Sequence, residues 1–111
     1  MLMKLAPFPF QTLDWETVPK EEHKGETGVA YWQVQQVNDI RVRIVEYSPD
    51  YKADHWCSKG HVVFCIGGEM NTELKDGRII HMQEGMSYFV GDDCEAHKSF
   101  TANGCRLLIV D

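Results

Sequence analysis

In IRVRIVEY, residues 40–47, apolar and charged side chains take turns: Ile40, Val42 and Ile44 alternate with Arg41 and Arg43. A period of two is the mark of a strand with one face on a core. No stretch of the chain carries the helical period over a useful length. The chain is thereby confined to sheet architectures. By this reading Ile40, Val42 and Ile44 face the core, and Arg41 and Arg43 are solvated or meet another subunit. Binding an anionic ligand inside a barrel is the weaker alternative for the arginines.

The same signal recurs along the chain. VAYWQVQQV, residues 29–37, is rich in β-branched and aromatic residues, and Asn38-Asp39 joins it to 40–47 as a hairpin. HVVFCIGG, residues 61–68, reads as a strand. EMNTELKDGRIIHMQ holds Asp76-Gly77 between two alternating segments, which predicts a type I′ hairpin. Gly85 opens the strand MSYFV, GDDCEA is a turn, and HKSFTA and CRLLIVD close the chain. About eight short strands at regular spacing predict an all-β sandwich or small barrel. VPKEEHKGETG, residues 18–28, is polar and glycine-bearing and is expected to be loop, with His23 solvated there.

At 111 residues the chain is expected to form one domain. Residues 1–14, with Pro7 and Pro9 between Phe8 and Phe10, are expected to form an arm lying on a surface, and 15–111 the barrel. HVVFCI is apolar on both faces, which asks for cover from a second sheet, the arm or another subunit; a homodimer is the expected assembly. A net charge of −6 disfavours nucleic acid and anionic membranes as partners. The apolar runs are too short to span a bilayer, no signal peptide is read, and the four cysteines form no CxxC pair. Reduced thiols and a cytoplasmic location are the expectation.

Chemistry concentrates in ADHWCSKGHVVFC, residues 53–65. If the chain is extended, His55 and Cys57 share a face, with Trp56 opposite, and His61 follows four positions later. Imidazole nitrogen and thiolate are the preferred ligands of zinc and several other transition metals. On the residues alone the alternative remains a polar strand end beside a buried cysteine.

The stretch resembles the first motif of the cupin superfamily, G-x5-H-x-H-x3or4-E-x6-G. Pro49 takes the place of the first glycine, His55 and Cys57 the two histidines, His61 the glutamate, and Gly68 the last glycine. The second motif, G-x5-P-x-G-x2-H-x3-N, is matched loosely by Gly85, Gly91, Asp93 and, one residue late, His97, with Thr101 at the asparagine. From about Trp15 onward the chain is also similar to the small bacterial DHCW-motif cupin-fold proteins, through Asp54-His55-Trp56-Cys57, YSPDY, TELKDGR, GMSY and the terminal LLIVD.

The resemblance implies a cupin-type β-barrel (double-stranded β-helix, or jelly roll) with a metal held by His55, Cys57, His61 and His97, and no assigned reaction. The ligand types favour zinc, with iron, copper or nickel as lesser candidates. Two functions are expected from such a site: a metal-binding module that recruits a small organic ligand, or a metal-dependent enzyme, an oxygenase or a Lewis-acid isomerase or lyase. Asp54 is read as an orienting carboxylate or a loop residue, His81 as structural, and Cys94 as an inert turn cysteine. No Ser-His-Asp pattern, phosphate-cradling glycine loop or nucleotide fingerprint is present.

Overall fold

The described strands pair antiparallel throughout, an arrangement that suits period-two alternation. The computed structural model describes residues 5–111. A single 3-10 turn (Trp15–Thr17), capped by the Asp14 carboxylate on the Glu16 amide, precedes eight strands. These are β1 (Glu21–Lys24), β2 (Val29–Val37), β3 (Ile40–Tyr47), β4 (His61–Leu74), β5 (Ile79–Gln83), β6 (Ser87–Val90), β7 (His97–Phe100) and β8 (Cys105–Val110). The larger sheet runs β1-β2-β3-β8-β4-β6, and the smaller one is β5-β4-β7. The fold is all-β. No helix among the described residues is long and apolar enough to cross a membrane.

One strand serves both sheets. β4 pairs with β8 and β6 through its first half and with β5 and β7 through its second. The register slips between Cys65 and Gly67, and Gly68 sits at φ +77°. A Cβ there would meet the Gly104 carbonyl and come within 2.8 Å of the Cys105 Cα. Glycine is therefore required twice over, for the left-handed backbone and for the close approach of a neighbouring chain. The corner folds the two sheets over a shared core of Val45, Val63, Cys65 and Leu107 from one and Met70 and Met82 from the other.

Four expectations are corrected. Residues 21–24 are an edge strand, β1, not loop; its side chains are mostly exposed, so it carries no apolar alternation, and backbone pairing with β2 defines it. His23 is not solvated there: its ring stacks on Trp32 at 3.9 Å. The Asp76-Gly77 hairpin is present, but type I′ needs positive φ at both central residues, and only Gly77 has it, at +95°. Leu74 and Arg78 close the loop instead, with three residues between them.

The fourth correction concerns the face of β3. Arg41, Arg43 and Val45 point inward, and Arg43 is 5 % exposed, while Ile40, Val42 and Ile44 point outward. A strand's alternation reveals two faces without saying which is inside. Ile44 is nonetheless buried. Its cross-strand partner Gln33 donates to the carbonyls of Trp15 and Val18, which draws the N-terminal segment over that part of the outer face.

Further along the outer face no such cover exists among the described residues. Val62 and Phe64 of β4 are 47 % and 40 % exposed, and Phe89, opposite Val62, is 74 % exposed. In the arm, Asn38 Nδ2 donates to the Pro7 carbonyl and Phe10 is almost fully exposed. Residues 1–4 of the arm lie outside the described residues.

Candidate metal centre

The inner side of the larger sheet carries a polar row at one end. Arg41 and Asp111 are backbone-paired, and beside them β4 begins with His61, so all three side chains enter the barrel at the same level. Across from them Cys57 and His97 form an isolated antiparallel bridge, Cys57 N donating to His97 O at 2.8 Å and His97 N to Cys57 O at 2.9 Å. That bridge sets the thiol beside the imidazole. A ligand atom from each of Cys57, His61 and His97 lies within 4.8 Å of the others.

The two imidazoles are anchored from behind. His97 Nδ1 lies 2.9 Å from the Glu95 carbonyl, which only accepts, so that nitrogen carries the hydrogen. His61 Nδ1 faces the Asp111 carboxylate at 3.3 Å and is a donor by the same logic. In neutral rings each Nε2 is then a bare lone pair. The two Nε2 atoms face each other at 2.8 Å. Two lone pairs do not sit at that distance without something positive between them, either a proton or a metal ion. Two nitrogens on one tetrahedral zinc, at about 2.0–2.1 Å each, stand about 3.3 Å apart. A small opening of the pair would admit such an ion.

Electrostatics agree with a cationic centre. The hydrogen bond from His97 holds the Cys57 thiol below its ordinary pKa, although partial burial opposes this. The same bond raises His97. Without a metal, a thiolate beside an imidazolium satisfies the cluster; with one, both groups become ligands and the proton leaves. Burial lowers the pKa of His61, against the pull of Asp111, and so favours the neutral form that binds metals.

Asp111 supports the centre from beneath. Its carboxylate accepts from Arg41 Nε at 2.9 Å and Nη2 at 3.1 Å, and from Arg43 Nη2 at 2.9 Å. Burial works against its charge, but these bonds, the Arg43 charge and the bond from His61 outweigh it and hold the carboxyl at about 2. A carboxylate behind a ligating histidine fixes the tautomer and raises ligand basicity. Sequence reading missed this residue, because nothing in LLIVD marks the last aspartate as buried.

His55 is placed differently from its neighbours in the motif. Residues 54–55 form a bend, so the alternation expected of an extended chain does not hold there. The His55 side chain is 78 % exposed, and its Nδ1 lies 2.6 Å from Asp54 Oδ1. His55 lines the mouth of the same cavity but lies outside the cluster of Cys57, His61 and His97. His81 is exposed and bonded to Asn71. All four cysteines are unpaired, Cys94 exposed and Cys65 and Cys105 buried.

The cluster opens into a barrel cavity of about 220 Å³, walled by Trp32, Tyr47, Tyr51, Tyr88, Leu107 and Ile109 among others. Tyr88 stands 3.4 Å from His61 Nε2 through its hydroxyl. Burial raises its pKa, so the phenol keeps its proton.

Known structures arrange their strands in the same way. An RmlC-like cupin from Shewanella frigidimarina superposes with a TM-score of 0.72 at 17 % identity, over 92 % of this chain and 89 % of that one. The fold is the cupin fold. A predicted oxalate decarboxylase from Thermotoga maritima gives a TM-score of 0.76 at 12 % identity, over 90 % of this chain and 96 % of that one. The polyketide cyclase RemF from Streptomyces resistomycificus gives 0.74 at 20 % identity, over 92 % and 78 %. No family model and no curated protein matches the sequence.

Proposed function

We propose that this cupin-fold protein holds one transition metal ion per chain at Cys57, His61 and His97, and that the metal and the adjoining cavity recruit a small organic ligand. The observation that carries the reading is the pair of imidazoles anchored through Nδ1, whose Nε2 atoms converge at 2.8 Å beside the Cys57 thiol. One thiolate and two imidazoles suit zinc best, with iron, copper or nickel after it. Three protein ligands leave a fourth position for water, the recruited ligand or His55. His55 has Asp54 behind its Nδ1, an arrangement that leaves Nε2 as the ligand atom if the side chain turns inward.

The test is metal content after overnight dialysis of single alanine variants. Loss from His61→Ala and His97→Ala, with retention by His55→Ala, supports the three-residue centre. Full retention by both His61→Ala and His97→Ala ends it. Loss from His55→Ala as well restores the four-ligand set.

Turnover at the same metal is the second reading. The Tyr88 hydroxyl beside His61 favours it, since a neutral phenol at an open coordination position can donate a proton to a bound substrate. Two proteins of the same fold are described as a predicted oxalate decarboxylase and a polyketide cyclase. Fold alone carries no reaction across.

A further inference from the structure

The charge of the barrel cavity is opposite to that of the chain. The protein carries a net charge of −6. Yet Arg41, Arg43, Lys59 and Lys98 all line the cavity, and among the described residues no aspartate or glutamate does. Asp111 lies behind the arginines and is one carboxylate for two guanidiniums. The positive excess is therefore built into the ligand side of the site.

Arg43 is the more deeply buried of the two arginines. Its side chain is 6 % exposed, so it has left water almost completely. One Nη donates to Asp111, but Nε is buried without any partner. Buried N–H groups are rarely left unmatched, and a charged one costs more than a neutral one. The guanidinium is also held in place: its Cζ lies 4.5 Å from the Trp32 ring centroid, and that of Arg41 lies 5.6 Å from it. Asp111 takes the Nε–Nη2 edge of Arg41 and one Nη of Arg43, and the remaining Nη N–H groups, fixed over one indole, form a preorganised receptor for an anion.

The rest of the wall is aromatic and aliphatic. Tyr47 and Tyr51 are stacked at 4.2 Å, and Val45, Leu107 and Ile109 complete the apolar side. The volume of about 220 Å³ is below the roughly 300–1,000 Å³ usual for drug-sized ligands. We infer that the ligand recruited under the proposed reading is a small, planar, mainly apolar carboxylate, with its anionic end on Arg41 and Arg43 and its body against the tyrosines. The carboxylate meets guanidinium N–H groups that face the cavity, at the level of His61, and the apolar body extends away from the metal cluster toward the tyrosines.

Isothermal titration with benzoate, benzamide and inorganic phosphate, on zinc-loaded and on chelator-stripped protein, tests the inference. Benzoate should bind at least tenfold more tightly than either of the others. Arg41→Gln and Arg43→Lys should each weaken benzoate at least tenfold and leave benzamide unchanged. Arg43→Lys keeps a positive charge against Asp111, so it keeps the fold's ion pair while losing the fork; unchanged thermal melting confirms that. Equal binding of benzoate and benzamide, wild-type benzoate affinity in both arginine variants, or no benzoate binding at millimolar concentration overturns the inference. Phosphate binding as tightly as benzoate overturns the apolar part of it. A chain that retains no zinc but still prefers benzoate over benzamide contradicts the metal reading and leaves the carboxylate site standing.

Discussion

Asp111→Asn is the most informative perturbation of the fold beneath the site. The carboxylate is 1 % exposed and neutralises Arg43, which is 6 % exposed, and Arg41, which is 31 % exposed. Removing one member of a buried ion pair costs about 3–5 kcal/mol, because the partner's charge stays buried. Arg41 reaches water and softens the loss, so the lower end, about 3 kcal/mol, applies. With a urea slope of about 1–3 kcal/mol per M, the unfolding midpoint should fall by about 1–3 M. The loss should also depend on pH. Asp111 is held at about 2 against an ordinary 3.8, a depressed carboxyl whose stabilisation is fully present above the ordinary value. That share, about 2 kcal/mol, vanishes as pH falls through the folded value. The wild type and Asp111→Asn should therefore converge between about pH 4 and pH 2. Urea unfolding followed by tryptophan fluorescence at several pH values reads both effects. Equal midpoints at neutral pH, or a gap that persists unchanged to about pH 2, would refute the reasoning.

Other expectations follow from single residues. Gly68→Ala should destabilise by about 2–4 kcal/mol, since it adds left-handed strain to a clash with Gly104 and Cys105, and thermal melting checks it. Cys57 should alkylate slowly with zinc bound and faster after chelation; equal rates would remove it from the ligand set. Zinc affinity should weaken as pH falls, and the weakening should begin at a higher pH than an ordinary histidine would give, because His97 holds its proton more strongly and must release it to bind; competition with a chromophoric chelator measures this. A homodimer closing on Val62, Phe64 and Phe89 should dissociate in Phe89→Ser, and light scattering showing a wild-type monomer at micromolar concentration would dismiss that surface.

The legible parts of this chain were those where local pattern and environment agree. β3 begins and ends where its alternation does, and β2 where its run of β-branched and aromatic residues does. The Gly67-Gly68 pair, read as the end of one strand, is instead the bend within β4, because pairing partners on both sides were needed to see the continuation. β1 has no apolar face to announce it. The parity of β3 was misread because a barrel with a polar, ligand-sized interior inverts the usual rule: Arg43 is inside and Ile44 is covered from outside by the N-terminal segment. Cys57, His61 and His97 were visible as residue types and motif positions. Their grouping without His55 depends on a bend at 54–55 and on a cross-chain bridge, and neither is written in the spacing.

The central claim is that Cys57, His61 and His97 grip one metal ion together. Loading the chelator-stripped protein with cobalt(II) and recording its absorption spectrum tests this most directly. One cobalt per chain, tetrahedral visible bands and a near-ultraviolet thiolate-to-cobalt charge-transfer band that disappears in Cys57→Ser are the predicted result. A spectrum identical to that of cobalt in water, or a full charge-transfer band in Cys57→Ser, would contradict it.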